Sequence, residues 1–223
     1  MPPVKSPSDP FARRREAGAA SRGETRRRLL AAADALFRER GYPATAVAAI
    51  AERAGVSLQT LYLAWGSKRA LLRAATDAAA AASQLPVQPD EWRASIRAAL
   101  ADAAGREATA SEYLAAVGRL FVQIAERTAP YWRMHRQAAA TDPEVAADWA
   151  ALTAARRRTL AEVARGVPPR GVRPGLTADA ITETLWALAS PELYDLFTAE
   201  GGYEVGTFQA WLTRTLVAAL CED

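Results

Sequence analysis

Between Thr45 and Trp65 two short apolar repeats are joined by a turn of only four residues, and that arrangement constrains the chain more than any other feature. Val47, Ile50, Ala51 and Ala54 recur at helical spacing, Gly55 ends the repeat, and Ser57 opens a second one of Leu58, Leu61, Tyr62 and Trp65. Glycine supplies the backbone freedom needed just past a helix end, and serine is a preferred first cap, so Ala54 to Ser57 reads as the joint of a helix-turn-helix. Upstream, Leu29, Leu30, Ala33, Leu36 and Phe37 repeat at helical spacing as far as Gly41, predicting a preceding helix that starts at the capping-box pair Ser21 and Glu24. Thr45 is expected to cap the second helix.

Such a motif needs buried residues to fix the angle between its helices and exposed ones to touch bases. Val47, Ile50, Val56, Leu61 and Trp65 suit the first task. Ser57, Leu58, Gln59, Thr60 and Leu63 suit the second, since Gln59 matches an adenine edge and Thr60 reaches a base or a phosphate. Thr45, through its hydroxyl and amide, and Tyr62 and Lys68 are expected to hold phosphates. Charge points the same way. Residues 1–73 carry 14 Lys/Arg against 6 Asp/Glu, leaving 14 against 19 for the rest of a chain whose net charge is +3. A basic head on an acidic body favours a polyanion, because each neutralised phosphate releases counterions.

The remaining chain reads as helices with no strand-like alternation. Residues 1–21, with four prolines and the run Arg13 to Arg15, are expected to be a disordered basic arm; 22–72 the DNA-binding domain; and 73–223 a helical body. Within the body, Gln84 to Pro89 reads as a linker. Helices are predicted over 90–104, 111–127, 129–140 and 143–165, with breaks at Gly105, Pro130 and Pro143. Gly166 to Gly175 reads as an exposed loop, Thr177 and Ser190 as caps of further helices, and 207–220 as the last helix. One histidine and one cysteine exclude a multi-histidine zinc cluster, and no phosphate-binding loop or dinucleotide fingerprint occurs, so neither an enzyme nor a cofactor or metal is expected. No stretch reaches the roughly 20 apolar residues of a membrane span, and nothing marks export. A cytoplasmic, nucleoid-associated protein is expected.

The segment TAVAAIAERAGVSLQTLYLAWGSKRALL, Thr45 to Leu72, resembles the DNA-binding domain of the TetR (tetracycline-repressor-like) family. The carriers are Thr45, Ile50, Ala51, Ala54 to Ser57, Thr60 to Tyr62, Trp65, Ser67, Lys68, Leu71 and Leu72, and the helix before them fits as well. Trp65 stands where such proteins usually have Phe. Leu63 and Ala64 replace a pair that often includes a hydrogen-bonding group, which leaves Leu63 a thymine methyl to read. The segment Leu185 to Leu212 also resembles the C-terminal helices of one group of these regulators.

The resemblance implies an all-α protein, with a three-helix DNA-binding head and a helical bundle that binds an effector and dimerises through its last helices. The apolar faces there are broad for the edge of a monomer, which makes Leu185, Leu193, Phe197, Phe208, Trp211, Leu212 and Leu216 the expected interface. An aromatic-rich set, Trp92, Phe121, Tyr131, Trp132, Met134, His135, Trp149 and Trp186, is the expected effector pocket. The implied function is a repressor that binds a palindromic double-stranded DNA operator as a homodimer and is released by a small apolar effector, with no membrane partner. The alternative is an architectural or weakly specific dimeric DNA binder without effector control, motivated by the apolar Leu63 and Ala64.

Overall fold

A computed structural model describes residues 10–81, 96, 100 and 108–222. The expected linker at 84–89 and Trp92 lie outside them, as does most of the helix expected over 90–104. Only Ile96 and Leu100 of that helix are described, and both are helical. The described residues are mostly helical with no β-strand, the all-α class the sequence predicts, and they divide into two units, the boundary falling after Ala75.

In the first unit, α1 spans Pro10–Ala44 and is interrupted at Gly41, whose φ of 78° is a conformation that side chains with a Cβ rarely adopt. The arm expected to be disordered over 1–21 is therefore helical from Pro10 onward. Its alanines and arginines are strong helix formers, and proline is at home in a first helical turn, so nothing in that stretch stops the helix. For the same reason Ser21 and Glu24 do not form a capping box. Ser21 is mid-helix, its carbonyl accepting from the Thr25 hydroxyl at 3.0 Å, and Glu24 pairs instead with Arg27 Nε at 3.1 Å. Leu29, Ala32, Ala33, Leu36 and Phe37 make the buried stripe of α1, spaced to fall on one helical face. Against that stripe pack α2, Val47–Arg53, and α3, Leu58–Trp65. The helix α4, Lys68–Ala81, begins in this unit with Leu71 and Leu72 wholly buried.

The second unit is built on α5, Ala110–Ala139, α6, Pro143–Arg165, α7, Ala178–Leu188, the short α8, Pro191–Asp195, and α9, Val205–Leu220. Their starts are chemically marked. Thr109 and Glu112 form a reciprocal capping box on α5, Asp142 caps α6, and Thr177 and Ser190 cap α7 and α8 as expected. Contrary to the break expected at Pro130, α5 is one helix of 30 residues that carries this proline inside it. Its buried face runs on across the proline, from Phe121 and Ala125 through Ala129 to Tyr131 and Met134. Burying such side chains gains roughly 1.5–3 kcal/mol each, which outweighs a cost of about 3 kcal/mol for an interior proline. The loop after α6 is mostly exposed, and it is tied to the end of the chain by Arg173 N donating to Leu220 O at 2.9 Å and Glu222 N to Gly171 O at 3.1 Å.

The core of this unit corrects the expected dimer face. Phe208, Leu212 and Leu216 of α9 are fully buried where it packs on α5 within a single subunit, and Leu185 is fully buried on α7, which packs on α6 and α9; Leu114 and Val117 share this core. They are unavailable to a partner because α9 packs one whole face on α5. Leu193, Phe197 and Trp211 are half-buried, with Phe197 and Trp211 rings 4.6 Å apart.

Candidate nucleic-acid interface and body cavity

The turn between α2 and α3 forms as its sequence dictates. Gly55 takes a φ of 64°, and the Ser57 hydroxyl accepts the Thr60 amide at 3.1 Å. Leu61 is the anchor of α3, 0% exposed and sharing the core with Ile50 and Ala54. On the opposite side Leu58, Gln59, Tyr62 and Leu63 point outward, with Leu63 81% exposed. Positions 58, 59, 62 and 63 follow the one- and four-residue steps of a single helical stripe, so anchor and contact surface come from the same periodicity. The Ser57 and Thr60 hydroxyls lie 2.8 Å apart and engage each other beside that stripe.

The structure gives two of the expected phosphate contacts a role inside the domain, and it rules Thr45 out as a surface contact. Thr45 is 1% exposed; its hydroxyl donates toward Gly41 O at 2.7 Å and Leu36 O at 3.2 Å, and its amide donates to Tyr42 O at 3.3 Å. It does not cap α2 either, because Ala46 occupies the cap position. Lys68 donates from Nζ to the Thr45 carbonyl at 2.8 Å and lies 4.2 Å above the Tyr42 ring. Both side chains hold the loop after α1, a long-range use that one-dimensional spacing does not show.

Sequence reasoning also missed Arg26 and Arg28. The Arg26 guanidinium sits 3.9 Å over the Trp65 ring and reaches the Ala64 carbonyl, while the Trp65 indole donates back to Arg26 O at 3.3 Å. Arg28 reaches the carbonyls of Ala54 and Gly55. Together they fasten α1 to the C-terminal ends of α2 and α3, where carbonyls lack helical partners and attract cations. Nothing in the run Arg26 to Arg28 distinguishes this role from a solvated basic face.

In the second unit a half-open cavity of about 220 Å³ lies between α4, α5, α6 and the start of α8. Phe121, Ile124, Trp132, Leu152 and Leu160 give it apolar walls, and Thr76, Asp77, Thr128, Thr159 and Arg156 its polar groups. A second cavity of about 270 Å³ shares Trp132 and Arg156 and adds Trp149, Trp186, Thr153 and Glu192. Of the expected pocket residues, Phe121, Trp132, Trp149 and Trp186 line one or both. Tyr131, Met134 and His135 are buried in the packing of α5 and line neither; His135 Nε2 lies 3.1 Å from the Thr76 hydroxyl of α4.

Arg156, which the sequence analysis did not single out, stands in the wall common to both cavities. Its Nη2 donates to Trp186 O at 2.8 Å and Ala189 O at 2.6 Å, and its guanidinium stacks 4.2 Å from the Trp186 ring. Burial pulls its pKa down to about 10, with Glu192 opposing the shift.

Among the described residues no helix is long and apolar enough to cross a membrane, and no cluster of His, Cys, Asp or Glu is arranged to hold a metal. Residues 29–75 match the family model described as bacterial regulatory proteins, tetR family. No curated protein matches the chain in sequence. Among solved structures, NalD, the secondary repressor of the MexAB-OprM multidrug efflux pump in Pseudomonas aeruginosa, superposes with a TM-score of 0.64 at 18% identity over 91% of this chain and 99% of its own. SmeT, solved with triclosan, gives 0.64 at 18% identity over 89% and 92%. A TetR-like transcriptional regulator from Rhodococcus sp. RHA1 gives 0.54 at 23% identity over 86% and 93%. At these identities the likeness is one of fold, and the sequence match is confined to the head. Residues 29–75 thus carry a DNA-binding domain of the tetR family of bacterial regulatory proteins, on a body whose likeness to such regulators is one of fold.

Proposed function

We propose that the protein is a homodimeric repressor, acting in the cytoplasm, that reads a palindromic operator through α3 and is released when a small, largely apolar molecule enters the cavity of its body. In this reading 22–72 form the DNA-binding domain and 73–223 the effector-binding and dimerisation domain. The observation that carries the reading is the outward stripe of Leu58, Gln59, Tyr62 and Leu63 on a helix anchored by the buried Leu61. Such a surface, four residues wide and one turn from a basic scaffold, suits the major groove.

Effector control is supported by the cavity. Thr76, Asp77 and Ala80 put α4 in its wall, and α4 is the helix whose first turn holds Lys68 against the loop after α1. A ligand there acts only if it binds one conformation better than the other. Among proteins of this fold, NalD is a repressor and SmeT has been solved with triclosan, which agrees with the reading. For the dimer, the half-buried Leu193, Phe197 and Trp211, with the exposed Leu196 and Tyr203 near them in sequence, offer apolar surface to a second subunit.

The exposed Leu63 favours one competing reading, weakly specific DNA binding without effector control, since its side chain offers no hydrogen bond to a base. A gel-shift comparison of the DNA upstream of the protein's own gene with unrelated DNA of equal length tests the two. Selective retardation of the upstream fragment supports the repressor, and equal affinity for both supports the weakly specific binder.

A further inference from the structure

Taken on the reading of the cavity as an effector site, we infer that the effector is an amphipathic anion: an apolar body lying in the first cavity, with a carboxylate or comparable acidic group held by Arg156.

The Thr128 and Thr159 hydroxyls donate to the carbonyls of Ile124 and Ala155, at 2.9 and 3.3 Å. Their remaining capacity is to accept. Asp77 is an acceptor as well, and it is exposed, so water solvates its charge. Arg156 is the one cation among the described lining residues of this cavity. Its two hydrogen bonds both leave from Nη2, and no carboxylate of the described residues comes within ion-pair distance of it. A guanidinium carries five donors in a planar fork, so Nε and Nη1 keep donors that none of the described residues takes up.

A largely buried cation without a bonded counter-ion is costly, and a protein that needed only a filled interior would be served better by an apolar side chain. An arriving anion repays that cost by supplying the missing charge. A cationic ligand, by contrast, finds the Trp186 face already covered by the guanidinium at 4.2 Å. The anionic group belongs on the first-cavity side of Arg156, because Glu192 lines the second. Apolar body and anionic end thus follow from separate features of one wall.

Octanoate, 1-octanol and octylamine share a body and differ in charge near neutral pH. Titrated into the intact protein and followed by calorimetry and tryptophan fluorescence, octanoate is expected to bind about tenfold or more tighter than octanol, with octylamine weakest. R156Q is expected to bring octanoate down to the level of octanol. Leu152→Trp, which fills the first cavity without touching the charge, is expected to abolish octanoate binding and keeps the question open to test should R156Q fail to fold. Octanol or octylamine binding as tightly as octanoate overturns the anion assignment and leaves the cavity an effector site. Retained octanoate preference in R156Q, or retained binding in Leu152→Trp, also overturns it. Binding of none of the three overturns both this inference and the reading of the cavity beneath it.

Discussion

Lys68 Nζ lies 2.8 Å from the carbonyl oxygen of Thr45, and the hydroxyl of the same threonine turns back toward the carbonyls of Gly41 and Leu36. One lysine and one threonine thus fix the chain where it leaves α1 and enters α2. Lys68→Met is therefore expected to lower stability by about 1.5–3 kcal/mol, the worth of a hydrogen bond from a charged donor. The salt dependence of DNA binding should stay the same in the folded fraction. Urea melts and a salt titration of operator affinity check both; a salt slope shallower by about one unit would assign Lys68 to a phosphate after all.

Leu61 and Leu63 are two residues apart and face opposite ways. Leu61→Ala is expected to cost roughly 2–5 kcal/mol of stability, as for other buried leucines. Leu63→Ala should change stability by less than about 0.5 kcal/mol while weakening operator binding. Gln59→Ala should relax preference at a single base position by about 1–3 kcal/mol. Denaturation curves beside binding to an operator mutated base by base separate the three.

Phe208 and Trp211 divide in the same manner. Phe208 is fully buried between Tyr194 and Phe197, with ring separations of 5.5 and 5.2 Å, so Phe208→Ala is expected to destabilise each subunit by about 3–5 kcal/mol. Trp211→Glu is expected to leave the subunit folded and dissociate the proposed dimer. Sedimentation velocity and circular dichroism read the difference, and a Trp211→Glu protein that remains dimeric moves the interface elsewhere.

Cys221 is buried, and burial pushes its thiol above the usual cysteine pKa, with Arg173 opposing. The thiol form is favoured in the folded state, so thiolate, the reactive species, is scarcer at any given pH than in the unfolded chain. Alkylation by iodoacetamide at mildly alkaline pH is expected to be slow in the native protein, to quicken as pH rises toward the elevated pKa, and to become fast in denaturant. Equal rates in native and denatured protein would contradict this.

What the sequence revealed were features written in neighbouring residues. The stripe from Leu29 to Phe37, the turn at Gly55, the cap at Ser57 and the outward set around Leu63 all depend on contacts within a turn or two, and all stand in the structure. Ser21 and Pro130 misled because a cap or a breaker is a local preference, and the surrounding helix overrode each. Thr45, Lys68, Arg26 and Arg28 owe their roles to partners up to 39 residues away, which no spacing rule reports. Arg156 was invisible among the arginines of its own run, Arg156 to Arg158, until α7 placed the Trp186 and Ala189 carbonyls against it. The dimer face failed for a different reason: an apolar stripe on α9 is equally well explained by its own subunit, and Leu212 and Leu216 are used there.

The proline inside α5 has a mechanical consequence. A helix of this length is a beam of about 45 Å, and proline lacks the amide hydrogen that would tie its turn to the one before. Flexing therefore costs least at Pro130, two residues from Trp132 and its indole in the wall of both cavities. The stiffest member of the body yields most easily where a guest molecule would press against it.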